Sequence, residues 1–250
     1  MFIVFVFLGE LMNGAKDRNA ARELTLTIDG KEVRVAQGTT LWEAAREAGI
    51  DVPVLCHSPR LRPVGVCRVC VVDLGERVLA AACLRQCEEG MTVRTDTEEI
   101  AGHRRTLLQL LLADYPEESA REGSTGDDEL LALARNLGVT GLPYPDHSGA
   151  EPGQGGGAAP RGRDDSSPVI AVDHQACILC DRCIRACDEV QHNDVLTRTG
   201  KGYTARIAFD LDAPMGKSTC VACGECMAAC PTGALTDKNL AGLRLVVKGG

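Results

Sequence analysis

Thirteen cysteines fall in three bunches, at 56–87, 177–187 and 220–230, and their spacing is the strongest chemical signal in this sequence of 250 residues. The second and third bunches repeat one pattern: Cys177-x2-Cys180-x2-Cys183-x3-Cys187, then Cys220-x2-Cys223-x2-Cys226-x3-Cys230-Pro231. Three thiolates at i, i+3 and i+6 can wrap one corner of an iron–sulfur cubane, while the fourth, at the end of the run, begins a helix that carries it to another cluster. The spacing therefore predicts two [4Fe–4S] clusters with crossed ligation. Cys177, Cys180, Cys183 and Cys230 would hold one, and Cys187, Cys220, Cys223 and Cys226 the other. Disulfides fit poorly, because near-neighbour thiols cannot all pair with good geometry. Zinc ordinarily takes two Cys-x2-Cys pairs with a longer gap, not two full runs of four.

The first bunch is spaced differently. Cys56, Cys67, Cys70 and Cys83 read C-x10-C-x2-C-x12-C, where a plant-type [2Fe–2S] site has C-x4-C-x2-C and a distant fourth cysteine. A [2Fe–2S] cluster with a long first loop and a zinc site both remain open on spacing alone. Cys87 has no place in any of the three sets. It reads as a small buried hydrophobe, although a four-residue separation would also let it exchange with Cys83 as a ligand. His57 reads as a hydrogen-bonding neighbour of Cys56, since a Rieske-type site needs two His and this loop has one. Asp188-Glu189 could lower the potential of a nearby cluster, or be no more than a solvated face.

The elements that must position these thiols are legible. Leu24, Leu26 and Ile28 alternate with polar residues, Asp29-Gly30 makes a two-residue turn, and Val33 and Val35 alternate again, which predicts a β-hairpin. Thr40 three residues before Glu43 is a capping box, and Leu41, Ala44, Ala45 and Ala48 recur at helical spacing up to Gly49. After this ββα unit, residues 69–72 and 78–80 flank Gly75-Glu76 as a second hairpin, and 91–93 form a further short strand. Apolar runs over 100–113 and 127–137 predict two buried helices. Residues 146–168 contain six Gly and three Pro and no apolar period, so they predict a flexible linker with a reach on the order of 25 Å. Beyond it, 169–172 and 203–209 read as strands around the repeated cysteine runs. Composition fits a globular chain, with 44% apolar and 25% charged residues, yet aromatics make up only 3%. The net charge of −8 argues against nucleic acid and anionic membranes as partners. The apolar run from Phe2 to Leu8 is too short to span a bilayer and lacks a preceding basic residue, so a cytoplasmic location is expected.

Residues 169–237 resemble bacterial two-cluster ferredoxin modules, with the departure that Asp188, not Pro, follows the first run. Leu55-Cys56-His57, Gly65-x-Cys67-Arg68-x-Cys70 and Ala82-Cys83 followed by Gly90-Met91 resemble another domain. It is the N-terminal [2Fe–2S] domain of the complex I large iron–sulfur subunit, of the diaphorase small subunit of NAD-linked hydrogenases and of NAD-linked formate dehydrogenase. That resemblance implies a [2Fe–2S] cluster on Cys56, Cys67, Cys70 and Cys83, with Cys83 as the closing ligand. In the complex I relatives a site of one His and three Cys follows. Here Tyr115 stands where that His is expected and the cysteines are absent, so three clusters are expected, not four.

The resemblance implies an α+β fold. A tail (1–23) precedes a β-grasp-like [2Fe–2S] ferredoxin domain (24–98), a helical segment (99–145), the linker (146–168) and a two-[4Fe–4S] ferredoxin-like domain (169–250). It is closest to the iron–sulfur arm of formate dehydrogenase, carried by GKGY at 200–203 and CVACGECMAACPTGAL at 220–235. The chain ends near where a molybdopterin domain would begin, and no Gly-rich dinucleotide loop follows a strand. The function implied is a non-catalytic electron-transfer subunit between a flavin/NAD(P)-binding subunit and a molybdopterin or hydrogenase catalytic subunit. A hydrogenase diaphorase small subunit or complex I fragment is the alternative. An iron–sulfur sensor is disfavoured, because a sensor needs an incompletely ligated cluster.

Overall fold

A computed structural model describes residues 22–139 and 161–240. The expected tail up to residue 21, linker residues 146–160 and the last ten residues lie outside the described residues. Strands β1 (Glu23–Ile28) and β2 (Lys31–Ala36) pair antiparallel with Ile28 opposite Lys31, so the turn has the two residues the sequence implied. Asp29 and Gly30 both take positive φ, 48° and 80°, as a hairpin turn of the right twist requires. Leu24, Leu26, Ile28, Val33 and Val35 are buried on one face, against helix α1 (Leu41–Glu47). That helix starts on the anticipated capping box: Thr40 Oγ1 accepts from Glu43 N–H, and Glu43 accepts from Thr40 N–H at 2.8 Å.

Strands β3 (Val71–Val72) and β4 (Ala80–Ala81) form the second hairpin, and β5 (Thr92–Val93) adds to β1 in parallel, giving the mixed order β2-β1-β5. Helix α2 (Glu98–Ala113) follows, then the short α3 (Ala120–Ser124), which had no clear apolar period, and α4 (Glu129–Asn136). Buried Arg104 of α2 donates to the carbonyls of Val69 and Val71, tying the helix to the loop that carries Cys67 and Cys70.

In the second half, β6 (Arg163–Asp164) pairs with β7 (Ile170–Asp173), so two residues of the span expected to be linker are built into a sheet. The composition-based boundary overlooked this because two residues suffice to add an edge strand. Helix α5 (Arg182–Arg185) continues into a π-helical turn over residues 186–190. Strands β8 (Leu196–Thr199) and β9 (Arg206–Phe209) form a hairpin, shorter than the span 203–209 suggested because 202–204 is a 3-10 turn. Helix α6 (Glu225–Ala229) and β10 (Leu235–Asp237) complete the half, with β10 pairing antiparallel to β7.

Three apolar clusters result. One lies under the first sheet and one surrounds the second-half cysteines. The third joins the halves: Leu55, Val69, Leu108, Leu130 and Ala134 pack together, with Cys67, Tyr115 and Ile178 at their margin. Among the described residues no helix is long and apolar enough to cross a membrane.

Candidate metal centres

Four sulfurs of the first bunch meet. Cys56 and Cys67 exchange contacts, each backbone N–H directed at the other's Sγ at 3.4 and 3.5 Å, and the Sγ atoms of Cys70 and Cys83 lie 3.4 Å apart. The pairs adjoin, because the Cys56 thiol also meets that of Cys83. The β3–β4 hairpin is responsible for one pair, since its register sets Ala82 N–H on the Cys70 carbonyl at 3.1 Å. The tight loop before it bends at Gly65 (φ 63°), where a Cβ would stand 2.3 Å from Leu84 Cδ1, and at Arg68 (φ 58°). The thiols share protons: contact with Cys67 holds Cys56 low, and the same contact pushes Cys67 up.

Cys87 is buried in the core beneath α1 and its N–H donates to Thr39 O at 2.8 Å. Burial pushes its thiol up to about 11, so it stays neutral. His57 lies edge-on to Trp42, with centroids 4.6 Å apart, and its Nδ1 has no hydrogen-bond partner among the described residues. The hydrogen-bonding role expected for it is not met at that atom.

The two runs of the second half share a backbone. Leu179 and Ala222, each two residues after the first cysteine of its run, adopt φ of 53°; Asp181 and Gly224, two further on, take 60° and 83°. This repeated left-handed path turns N–H groups inward, as where Ala222 N–H reaches Cys220 Sγ at 3.4 Å. Each run ends in a helix, with Cys187 in the π-helical turn after α5 and Cys230 capping α6. The fourth cysteine therefore lies within a helix (Cys187) or at its end (Cys230) rather than beginning one. The third cysteine sits in the first turn, and the helix carries the chain away from the loop it closes.

Two small cavities follow. The first is lined by Cys177, Cys180, Cys183 and Cys230, the second by Cys187, Cys220, Cys223 and Cys226. Each is lined by three cysteines of one run and the last cysteine of the other. Burial pushes Cys177 up to about 11 and Cys226 to about 12, and raises Cys180 and Cys183 further. Such thiols ionise only if a cationic group enters among them. No cysteine is in a disulfide. Among the described residues no group of three or more Cys, His, Asp or Glu side chains is set to hold a lone metal ion. Thiols spread around a cavity in this way suit a multi-iron group better than zinc, which gathers its ligands at one point.

Residues outside the cysteine sets hold the centres together. Glu189 is largely buried and Asp188 half exposed, and both are ion-paired: Arg62 stands 3.2 Å from Glu189 and 3.9 Å from Asp188. Arg60 meets Glu225 at 3.0 Å. Arg182 and Arg185 of α5, both buried, reach carbonyls of residues 55, 56 and 62. Sequence reasoning missed these two; an Arg pair at i, i+3 reads as an exposed helix face until the other half is docked. The helical segment grips the second half as well, with Arg121 donating to Cys230 O at 2.7 Å and Glu129 N–H to Pro231 O at 2.9 Å. Tyr115, at the place of the expected His, donates to the fully buried Asp128 and accepts from Gly233 N–H at 3.1 Å.

Comparison with known proteins gives two family matches. Residues 21–98 match a 2Fe-2S iron–sulfur cluster binding domain, and 167–236 the ferredoxin-like domain of NADH-quinone oxidoreductase subunit 3. The chain is 37% identical over 86% of its length to the NADP-reducing hydrogenase subunit HndD of Solidesulfovibrio fructosivorans, covering 36% of that protein. It is 31% identical over 86% of its length to the alpha subunit of the NADPH-Fe(3+) oxidoreductase of Geobacter sulfurreducens, covering 24% of it. A putative formate dehydrogenase of Staphylococcus aureus is 26% identical, with 21% of it covered. The chain thus spans about a fifth to a third of these curated relatives. A chain in the crystal structure of an NAD+-reducing [NiFe]-hydrogenase in its H2-reduced state superposes with a TM-score of 0.75 at 30% identity, covering 86% of this chain and 87% of that one. A 2Fe-2S domain and a ferredoxin-like domain of the 4Fe-4S type are therefore present.

Proposed function

The chain belongs to the family of iron–sulfur subunits of NAD(P)-linked oxidoreductases, and from that premise we propose that it relays single electrons between a flavin/NAD(P)-binding subunit and a separate catalytic subunit. It would hold a [2Fe–2S] cluster on Cys56, Cys67, Cys70 and Cys83. Cys177, Cys180, Cys183 and Cys230 would hold one [4Fe–4S] cluster, and Cys187, Cys220, Cys223 and Cys226 the other. The observation that carries this reading is the sorting of twelve thiols into three fours, each cavity of the second half being closed by a cysteine from the other run.

When bound, the clusters supply one-electron oxidation and reduction. The chain's own residues bury them, aim N–H groups at sulfur and hold the ligand loops rigid. Ile170 and Leu235, both fully buried, keep water from the two cavities, Leu235 lining the first and Ile170 the second. Cys223 is exposed, unlike every other cysteine of the three sets, so the loop at 220–224 is the end at which a redox partner can approach closely. A cytoplasmic site of action suits thirteen unpaired thiols.

Among terminal partners, a hydrogenase has more support than a formate dehydrogenase. The hydrogenase relatives are 37% and 30% identical, against 26% for the formate dehydrogenase. Anaerobic analysis of the purified chain should give about ten iron atoms with matching acid-labile sulfide. Zinc without sulfide would end the reading. Anaerobic co-purification of the tagged chain, with identification of the bound subunits, decides between the two terminal chemistries.

A further inference from the structure

Arg185 lies in the seam between the halves, the residue 7% exposed. It donates to the carbonyl of Cys56 and, at 3.4 Å, to that of Cys180, so one side chain bridges the backbones of two thiol sets. A third bond goes to Arg62 O, and Nε has no partner among the described residues. Among the described residues no carboxylate pairs with it: the ion pairs of the seam belong to Arg60, Arg62 and Arg182. Arg182, three residues away, shows the contrast, since Glu129 stands 2.6 Å from it.

A buried cation with only neutral carbonyls around it carries a large desolvation cost, which native proteins offset with an anion. The four-cysteine sets on either side supply it. Four thiolates around a cluster leave it with net negative charge, and the sets that include Cys56 and Cys180 flank the guanidinium. We propose that Arg185 is the shared counter-cation of the [2Fe–2S] centre and of the [4Fe–4S] centre on Cys177, Cys180, Cys183 and Cys230. It acts as a positioning residue that keeps Cys56 and Cys180 in register across the seam and raises both reduction potentials. The inference rests on the cluster assignment above. Reduction adds an electron to an already anionic centre, so a fixed positive charge beside two such centres favours reduction of both.

The test compares reconstituted full-length R185M, R185K and R182M/E129Q proteins with the parent by redox-titrated EPR and iron analysis. In R185M both of these centres should titrate at lower potential, with the centre on Cys187, Cys220, Cys223 and Cys226 moving least. R185K, which keeps the charge, should stay near the parent, and R182M/E129Q should shift neither, because it removes both members of the Arg182–Glu129 pair and leaves the net charge of the seam unchanged. If R185M loads no iron while R185K loads fully at parental potentials, charge is again what the site requires. Unchanged potentials in loaded R185M, equal iron loss in R185M and R185K, or a shift in R182M/E129Q matching that in R185M would each overturn the proposal. A parent protein without iron and sulfide would instead overturn the cluster assignment itself.

Discussion

In the N-terminal half, the four sulfurs that meet come from positions scattered between 56 and 83, and they converge only because β3 and β4 pair and the loop before them turns at Gly65 and Arg68. In the C-terminal half, three of every four come from a single loop of seven residues whose left-handed turns are repeated at 179, 181, 222 and 224. The first arrangement brings sulfurs into direct contact; the second spreads them round a cavity. The difference teaches which ligand sets a local motif can build. A run lines most of a cavity by itself, and the fourth cysteine on each cavity comes from the other run. A scattered set needs no exchange, but it depends on a sheet register that no local pattern encodes.

The largest effect that would break this comparison is loss of a whole centre by a remote substitution. Cys187→Ala should remove the cluster held by Cys220, Cys223 and Cys226, about four iron atoms, and spare the one its own run supplies. Cys230→Ala should do the reverse. Iron analysis with EPR of each reduced variant checks both, and loss of the cluster belonging to the substituted run would mean ligation is not crossed.

In the scattered set, Cys83→Ser should abolish or strongly alter the [2Fe–2S] spectrum, whereas Cys87→Ser should leave it unchanged, because it is Cys83 whose sulfur meets those of Cys70 and Cys56. Visible circular dichroism distinguishes the two. Spectral loss in C87S with retention in C83S would assign the closing ligand to the wrong thiol.

A smaller effect sharpens the role of the helical segment between the two regions. Asp128 is fully buried, caps α4 by accepting from Leu131 N–H at 3.1 Å, and accepts from Tyr115 and Ser119. Asp128→Ala should cost about 2–3 kcal/mol, from the lost cap and the donors left unpaired, read as a lower denaturant midpoint of the holo-protein. The ionisation of Tyr115 carries the sign of this contact. Burial, and after it Asp128, raises the tyrosine's pKa, so the folded state keeps the proton longer than the unfolded one. Its stabilising contribution is complete below the ordinary value of 10.0 and is lost as pH rises from there toward the raised value. Tyr115→Phe should flatten that alkaline decline.

The smallest effect is at the exposed rim. Arg62 pairs with Asp188 and Glu189 across the halves, but its side chain is 79% exposed. Arg62→Ser should change stability by less than about 1 kcal/mol, and a denaturation midpoint well below the parent's would show the rim contributing as the buried seam does.

What the sequence determined alone is whatever is local. The hairpin at Asp29-Gly30 and the capping box at Thr40 and Glu43 are encoded in residues a few positions apart, and the structure has both. The cysteine runs are local too, and their spacing already implied that each needs a ligand from the other. What only the tertiary structure decided is non-local. Residues 161–168 read as linker until β7 offers β6 a partner. Glu189 looks solvated until docking covers it and Arg62 pairs with it from the other half. Arg182 and Arg185 look like a charged helix face until docking buries them against the carbonyls of Leu55 and Cys56. Burial and pairing of a charge depend on what lies across a seam, and the distance along the chain from residue 56 to residue 185 holds no record of that approach.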